Sequence, residues 1–113
     1  MLLIYGIEAD TAAMTQEEQD ALMQGHAIFA NEALARGILT GGAPLQPTHT
    51  ATTVRVRKGK ILITDGPFAE TKEQLAGTYI LHCRDLEEAI ERATKIPDVL
   101  RGSIEIRPIL EFS

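Results

Sequence analysis

His26 is the residue of this sequence with the clearest potential for chemistry. Apolar residues recur around it at helical spacing, and 100° per residue places the ring near the middle of the apolar face. A histidine buried there must bond its ring nitrogens or open into a pocket, because an unpaired buried polar group costs about 1 to 3 kcal/mol. It is therefore either a core histidine bonded to a backbone carbonyl, or a general acid or base oriented by a carboxylate. The predicted apolar face consists of Leu22, Met23, Phe29, Ala30, Ala33 and Leu34.

The carboxylate that we expect to orient His26 is Asp65, in the segment TDGPFAETKEQLAG, residues 64–77. An aspartate before Gly66-Pro67 is typical of a tight turn, and Phe68 can fold back onto apolar neighbours. The T-x-x-Q spacing that starts at Thr71 predicts a single helical turn. A structural corner accounts for residues 65–68, but it does not account for the charged residues that follow.

Five further side chains are candidates for substrate binding. An arginine beside a cleft binds a carboxylate well, and the charged part of the motif adds both signs of charge. The alternative is that the strand residues form ordinary polar strand faces and the motif residues a solvated loop. The candidates are Arg55, Phe68, Glu70, Lys72 and Arg107.

Metal and cofactor chemistry are not expected. The three histidines are widely spaced, and there is no H-x-x-x-H or C-x-x-C cluster to bring metal ligands together. Glycine-rich phosphate loops and a G-x-S-x-G nucleophile turn are absent as well. Cys83, the single cysteine, is expected to be an inert core thiol.

The composition limits the classes of protein to consider. A chain of 113 residues and 12.3 kDa has room for one domain, here residues 1–113. The formal net charge of -5 argues against general binding to nucleic acid or anionic lipid. No apolar run reaches the roughly 20 residues of a membrane-spanning helix. We expect a cytoplasmic protein, which agrees with the lone cysteine.

The periodicity of the sequence predicts the order strand, helix, strand, hairpin, strand, helix, strand. A T-x-x-E capping box at Thr15 starts the first helix, which ends at Gly37. Asp85 caps the second helix, which stops before Pro97. The predicted strands and hairpin are LLIYGI, ILTGGAPL, TTVRVRKGKILIT, GTYILHC and SIEIRPIL.

This order predicts an α+β fold. With the hairpin set aside it is βαββαβ, the ferredoxin-like arrangement, with two helices on one face of an antiparallel sheet. Both faces of the first strand are apolar, since Leu3 and Tyr5 alternate with Leu2 and Ile4. We therefore expect a second copy of the chain to cover the open face, as a homodimer.

The motifs DGPFAETKEQLAGTYIL, DLEEAIERATKIP and GSIEIRP, preceded by GHAIFANEALARGILTGGAPLQP, resemble the DGPF-motif branch of the YCII-related family. The resemblance implies a dimeric ferredoxin-like α+β barrel. Relatives resemble small lactone-processing dehalogenases in which a histidine and an aspartate were proposed as a catalytic pair. His26 matches that histidine, and Asp65 would take the place of the aspartate. Some relatives are associated with transcription.

These observations predict a small-molecule enzyme that uses acid–base chemistry in a cleft near the homodimer interface. His26 would carry the proton, Asp65 would orient the ring, and Arg55, Lys72 or Arg107 would hold an anionic substrate. Two alternatives stay open. One is a dimeric ligand-binding or regulatory module without turnover, and the other is a purely structural role for the motif at the dimer interface.

Overall fold

The structure, a computed structural model, describes residues 1–112. It is a mixed α+β protein whose strands are β1 Leu2–Gly6, β2 Leu39–Pro44, β3 Thr52–Arg57, β4 Lys60–Asp65, β5 Gln74–Leu81 and β6 Ser103–Ile106. A four-stranded antiparallel sheet, in the order β2-β5-β1-β6, is accompanied by a separate two-stranded sheet, β3-β4. The helices are α1 Glu8–Ala12, α2 Gln16–Ala35 and α3 Leu86–Ala93, with a first 3-10 turn at Thr48–Thr50 and a second 3-10 turn at Pro97–Leu100.

The long helix α2 has the predicted ends. The Thr15 hydroxyl accepts a hydrogen bond from the Glu18 N–H (3.1 Å), and the Glu18 carboxylate accepts one from the Thr15 N–H (3.2 Å). At the other end Gly37 has a φ of 71°, the left-handed conformation in which glycine commonly terminates a helix. Local sequence signals therefore determine both ends of α2.

The predicted hairpin is also confirmed. Its turn consists of Lys58 (φ 51°) and Gly59 (φ 75°), and two consecutive positive φ angles match the twist of the flanking strands. Val54 lies opposite Ile63 and Val56 opposite Ile61, so four β-branched side chains share one face. We call these four residues the apolar hairpin face; each is more than half exposed.

The core lies between the four-stranded sheet and the helices. Leu2 and Ile4 of β1 are buried against Phe29 of α2, Ala93 of α3 and Ile96 after α3. The partly buried residues around them are Tyr79, Leu81, Ile104 and Ile106. Tyr79 and Leu81, two residues apart on β5, therefore both pack against this core.

The apolar face of α2 is narrower than predicted. Phe29 and Ala33 are buried, whereas Met23 (69%) and Leu34 (59%) are exposed, so the prediction was wrong for these two residues. At 100° per residue they lie roughly 120° and 140° from Phe29, outside the stripe that a single helix presses onto a sheet.

Arg92 of α3 links α3 to α2. Its side chain is only 2% exposed and donates hydrogen bonds to Glu32 of α2 (3.1 Å) and to Glu91 (2.7 Å). The hydrogen bond from Arg92 lowers the pKa of Glu91 to about 2. This ion cluster fixes α3 beside α2 on the same face of the sheet.

The chain is broad and flat, with extents of 48 × 46 × 18 Å. Its radius of gyration is 16.2 Å, whereas a compact domain of about 100 residues has a value near 13 Å. The hairpin accounts for the difference, because its residues are exposed except for the partly buried Thr53. Within residues 1–112, no helix has the length and apolarity needed to cross a membrane.

Candidate functional site

Both ring nitrogens of His26 are bonded to side chains from other elements. Nδ1 lies 2.8 Å from the hydroxyl oxygen of Tyr79 on β5, and Nε2 lies 2.5 Å from Oδ1 of Asp98 in the second 3-10 turn. The His26 and Asp98 side chains are 23% and 22% exposed. The ring is therefore the middle member of a chain of three groups, Tyr79, His26 and Asp98.

The three groups determine which nitrogen carries the proton. An ionised Asp98 carboxylate only accepts hydrogen bonds, so Nε2 of His26 must donate. In the neutral ring Nδ1 is then an acceptor, which suits the Tyr79 hydroxyl as a donor. Burial, and secondly the negative charge of Asp98, raise the pKa of Tyr79, so its hydroxyl keeps its proton at neutral pH.

Tyr79 is held in place from its other side. Its ring lies 4.6 Å from that of the fully buried Phe29, at an interplanar angle of 50°, a favourable arrangement for two aromatic rings. The His26 and Tyr79 rings are 5.9 Å apart. Because Phe29 is fully buried in the core, its contact with Tyr79 helps to hold the hydroxyl beside Nδ1.

The missing side chain of Gly25 allows Asp98 to approach His26. A Cβ atom on Gly25 would lie 2.9 Å from Cγ of Pro97, closer than real Cβ contacts come. The proline ring therefore packs directly on the backbone of α2, and the next residue, Asp98, meets the next residue of the helix, His26. Proline at the first position also suits the start of the second 3-10 turn.

Asp98 also lines a cavity of about 260 Å³, which we call the α1 cavity. Its walls come from the end of β1, from α1, from the first half of α2 and from the second 3-10 turn. Ile7, Met14, Leu22 and Leu100 make much of the lining apolar. His26 is not part of this wall, so its connection with the cavity runs through Asp98.

Gln74, near the end of the segment 64–77, supports helix α1, which forms one wall of this cavity. The Gln74 side-chain oxygen accepts a hydrogen bond from the Glu8 N–H (2.9 Å) at the start of α1, where Ile7 provides no side-chain cap. The Glu8 carboxylate in turn accepts from the N–H and the hydroxyl of Thr48, both at 2.8 Å. Gln74 therefore replaces the local cap that α1 lacks.

Asp65 does not hold the position predicted for it. It is the last residue of β4, in the separate two-stranded sheet, and it is exposed. Both nitrogens of His26 bond to other residues, and no side-chain hydrogen bond among residues 1–112 involves the Asp65 carboxylate. Asp98 has the place beside His26 that the sequence suggested for Asp65. A catalytic role for Asp65 stays a prediction.

Of the predicted binding residues, Arg55 and Phe68 are in direct contact. Arg55 donates a hydrogen bond to the backbone oxygen of Phe68 (3.3 Å), and Glu70 and Lys72 are exposed in the loop that follows. Phe68 is 76% exposed, so the expectation that it folds back onto apolar neighbours was wrong. The helical turn predicted from Thr71 is likewise absent; the Thr71 carbonyl instead accepts from the Gln74 side chain (2.6 Å).

Arg107 lies at a different place. It lines a second cavity of about 410 Å³ together with His82 and Cys83, and its guanidinium group bonds to Glu105. This second cavity reaches Leu2 of β1, whereas the α1 cavity reaches the other end of that strand. Burial raises the pKa of the Cys83 thiol, which agrees with the expected inert cysteine.

Two features of the sequence point to the residues that were missed. Asp98 follows a proline that ends one helix, and a 3-10 turn starting with proline is a known continuation. Tyr79 is a polar aromatic residue on the core-facing side of a strand, where its hydroxyl needs a partner. Neither signal identifies His26 as that partner.

Among residues 1–112 there is no group of three or more His, Cys, Asp or Glu side chains that could hold a metal ion.

The fold and the site define an α+β protein with an antiparallel sheet, in which a histidine–aspartate pair adjoins a small cavity. The chain belongs to the YCII-related domain family, which it matches over residues 1–113. It is similar to the uncharacterized protein R00369 of Rhizobium meliloti (strain 1021). The two are 37% identical over 110 residues, which cover 96% of this chain and 89% of that protein.

Gly25→Ala is expected to separate Asp98 from His26. The added methyl group would overlap the Pro97 ring and displace the second 3-10 turn, although alanine favours the helix by about 1 kcal/mol over glycine. The loss of the Asp98–His26 contact is measured by NMR, as a change in the signals of the His26 ring. Pro97→Ala removes the ring atom in closest contact, so the double variant should regain signals near those of Pro97→Ala alone. Equal His26 signals in Gly25→Ala and the unmodified protein would contradict this account of the contact.

Proposed function

We propose that this protein is an enzyme that acts on a small molecule by acid–base chemistry, with the His26–Asp98 pair as its reacting unit and the α1 cavity as its substrate site. The observation that carries the proposal is the 2.5 Å contact between His26 and a carboxylate that also lines a cavity. A contact that only joined two elements of the fold would not need a carboxylate that reaches a cavity.

The chain of three groups suits proton transfer. Tyr79 and Asp98 hold the His26 ring from both sides, so the pair is oriented before a substrate arrives. Asp98 lines the cavity wall, so its carboxylate faces a bound molecule before any proton moves. Positioned acid–base groups of this kind accelerate reactions by about 100-fold to 10,000-fold.

A binding module without turnover is the second candidate. The His26–Asp98 contact also joins α2 to the second 3-10 turn, so the same contact stabilises the wall of the α1 cavity. In that case the cavity would hold a ligand that leaves unchanged. The two candidates differ in whether loss of the Asp98 carboxylate removes a reaction.

We propose further that the chain forms a homodimer with the ferredoxin-like α+β barrel arrangement, in the DGPF branch of its family. The strand order β2-β5-β1-β6, with the hairpin set aside, supports this arrangement. The apolar hairpin face supports association, since Val54, Val56, Ile61 and Ile63 are all 58% or more exposed. Cys83 as the lone cysteine supports a cytoplasmic location.

The base-catalysed opening of 5-nitrobenzisoxazole tests the acid–base proposal. In this reaction a base removes the ring C–H proton, the N–O bond breaks, and a coloured cyanophenolate forms. The probe is small, neutral and largely apolar, as the α1 cavity requires. We expect a saturable rate above the buffer reaction, and we expect Asp98→Asn to lower kcat by about 100-fold.

Two matched aspartate variants complete this test. Asp20→Asn removes an exposed carboxylate of α2 whose one side-chain partner among residues 1–112 is Gln16, and its rate should equal that of the unmodified protein. Asp65→Asn tests the partner suggested by the sequence and should also keep the rate. The acid–base proposal fails if the unmodified protein does not accelerate the reaction, or if Asp98→Asn is as active as Asp20→Asn.

Light scattering tests the dimer. The unmodified protein should have twice the 12.3 kDa mass of the chain, because a second copy would remove the apolar hairpin face from water. Ile63→Lys places a charge on that face and should shift the mass toward the monomer. Met23→Lys is the control, since Met23 (69%) and Ile63 (68%) are equally exposed but Met23 lies on α2. A monomeric unmodified protein, or a dimeric Ile63→Lys, would contradict the proposed interface.

A further inference from the structure

We infer that Asp98, rather than His26, touches the ligand of the α1 cavity, and that this ligand is a small, largely apolar molecule whose polar group is positively charged or neutral. The role given to Asp98 rests on the proposed acid–base function. The preference for ligand charge does not, because it follows from the side chains that line the cavity.

Asp98 has the access that His26 lacks. The two ring nitrogens of His26 are engaged by Tyr79 and by Oδ1 of Asp98, and the ring is not part of the cavity wall. The Asp98 carboxylate has a second oxygen, which accepts no hydrogen bond from residues 1–112. Asp98 is thus the catalytic residue and His26 a positioning residue that acts through it.

This arrangement keeps its hydrogen bond during proton transfer. The ionised Asp98 takes a proton from the ligand on its second oxygen, and the electron pair of the broken bond stays on the ligand. Oδ1 still accepts from the His26 N–H after Asp98 has become neutral. The carboxyl group therefore keeps one orientation in both states, and it returns the proton to the ligand at another atom.

The charges around the α1 cavity disfavour an anion. Its lining contains the carboxylates of Asp10, Glu18 and Asp98 and a single cationic side chain, Arg101. Arg101 already donates a hydrogen bond to Glu18 (2.9 Å), so the carboxylates of Asp10 and Asp98 exceed the cationic charge. The anionic substrate that the sequence suggested would rely on Arg55, Lys72 and Arg107, and none of these lines this cavity.

The size and polarity of the α1 cavity further narrow the ligand. A volume of about 260 Å³ lies just below the usual range of about 300 to 1,000 Å³ for small-molecule pockets. Ile7, Met14, Leu22, Pro97 and Leu100 supply apolar surface. A molecule with one ring or a short branched chain, carrying one amine or hydroxyl group, fits this combination.

Three probes of the same shape test the charge preference. Benzylamine, benzyl alcohol and benzoate are titrated separately into the protein, and binding is followed by the methyl NMR signals of Met14 and Leu22. We expect protonated benzylamine to bind about fivefold to tenfold more tightly than benzyl alcohol, and benzoate more weakly than either. Raised salt should reduce the difference, because the cavity is partly open to solvent.

Two variants test whether the carboxylates that line the α1 cavity cause the preference for a positively charged ligand. Asp98→Asn and Asp10→Asn should each bring the affinities of benzylamine and benzyl alcohol closer together, whereas Asp20→Asn should leave the order unchanged. Benzoate binding as tightly as benzylamine would overturn the inference, and so would a failure of all three probes to shift the Met14 and Leu22 signals. Since no turnover is involved, a correct order of binding without any reaction of 5-nitrobenzisoxazole would instead contradict the proposed enzyme.

A separate experiment tests whether His26 acts by positioning Asp98. His26→Ala should lower kcat for 5-nitrobenzisoxazole while the dissociation constant of benzylamine stays the same. His26→Gln keeps a side-chain N–H donor and should retain more of kcat than His26→Ala. Equal losses in both variants, or a loss of benzylamine binding in both, would show that His26 only supports the fold of the cavity wall.

Discussion

The close approach of Pro97 to Gly25 is the contact on which the candidate site depends. Only a residue without a side chain lets the proline ring lie directly on α2. Because the two neighbours in sequence, Asp98 and His26, then face each other, one contact between backbone and ring produces the 2.5 Å pair. The same contact places the second 3-10 turn as a wall of the α1 cavity.

Strand β5 connects this site with the rest of the molecule. Near its centre Tyr79 lies between the core residue Phe29 and Nδ1 of His26. At its start Gln74 caps α1, which forms another wall of the α1 cavity. A single strand thus orients the histidine and supports the pocket.

The elements with local signals could be predicted from the sequence. The capping box at Thr15 and the Lys58-Gly59 turn each involve groups only three or four residues apart, so the local sequence contains every group that forms them. Helix α1 was not predicted because its cap comes from Gln74, 66 residues away from Glu8. The exposure of Met23 could not be predicted either, since the width of the buried stripe depends on how α2 lies on the sheet.

The candidate site was predictable only in part. His26 was found because a histidine on an apolar helix face needs partners, whatever they are. Its partner Asp98 is 72 residues away, after a proline that the sequence marks only as the end of a helix. Asp65 was the more conspicuous carboxylate, beside a Gly-Pro step, but the hairpin that carries it forms its own sheet. Which carboxylate meets the ring depends on tertiary packing.

Nitrogen NMR of the His26 ring tests most directly whether Asp98 and Tyr79 orient this histidine. In the neutral ring, the pairing described above predicts a proton on Nε2 and an Nδ1 that accepts a hydrogen bond. It also predicts that Asp98→Asn changes the Nε2 signal while Asp65→Asn leaves both nitrogen signals unchanged. A proton on Nδ1 of the neutral ring, or a ring whose signals respond to Asp65→Asn and not to Asp98→Asn, would contradict the pairing.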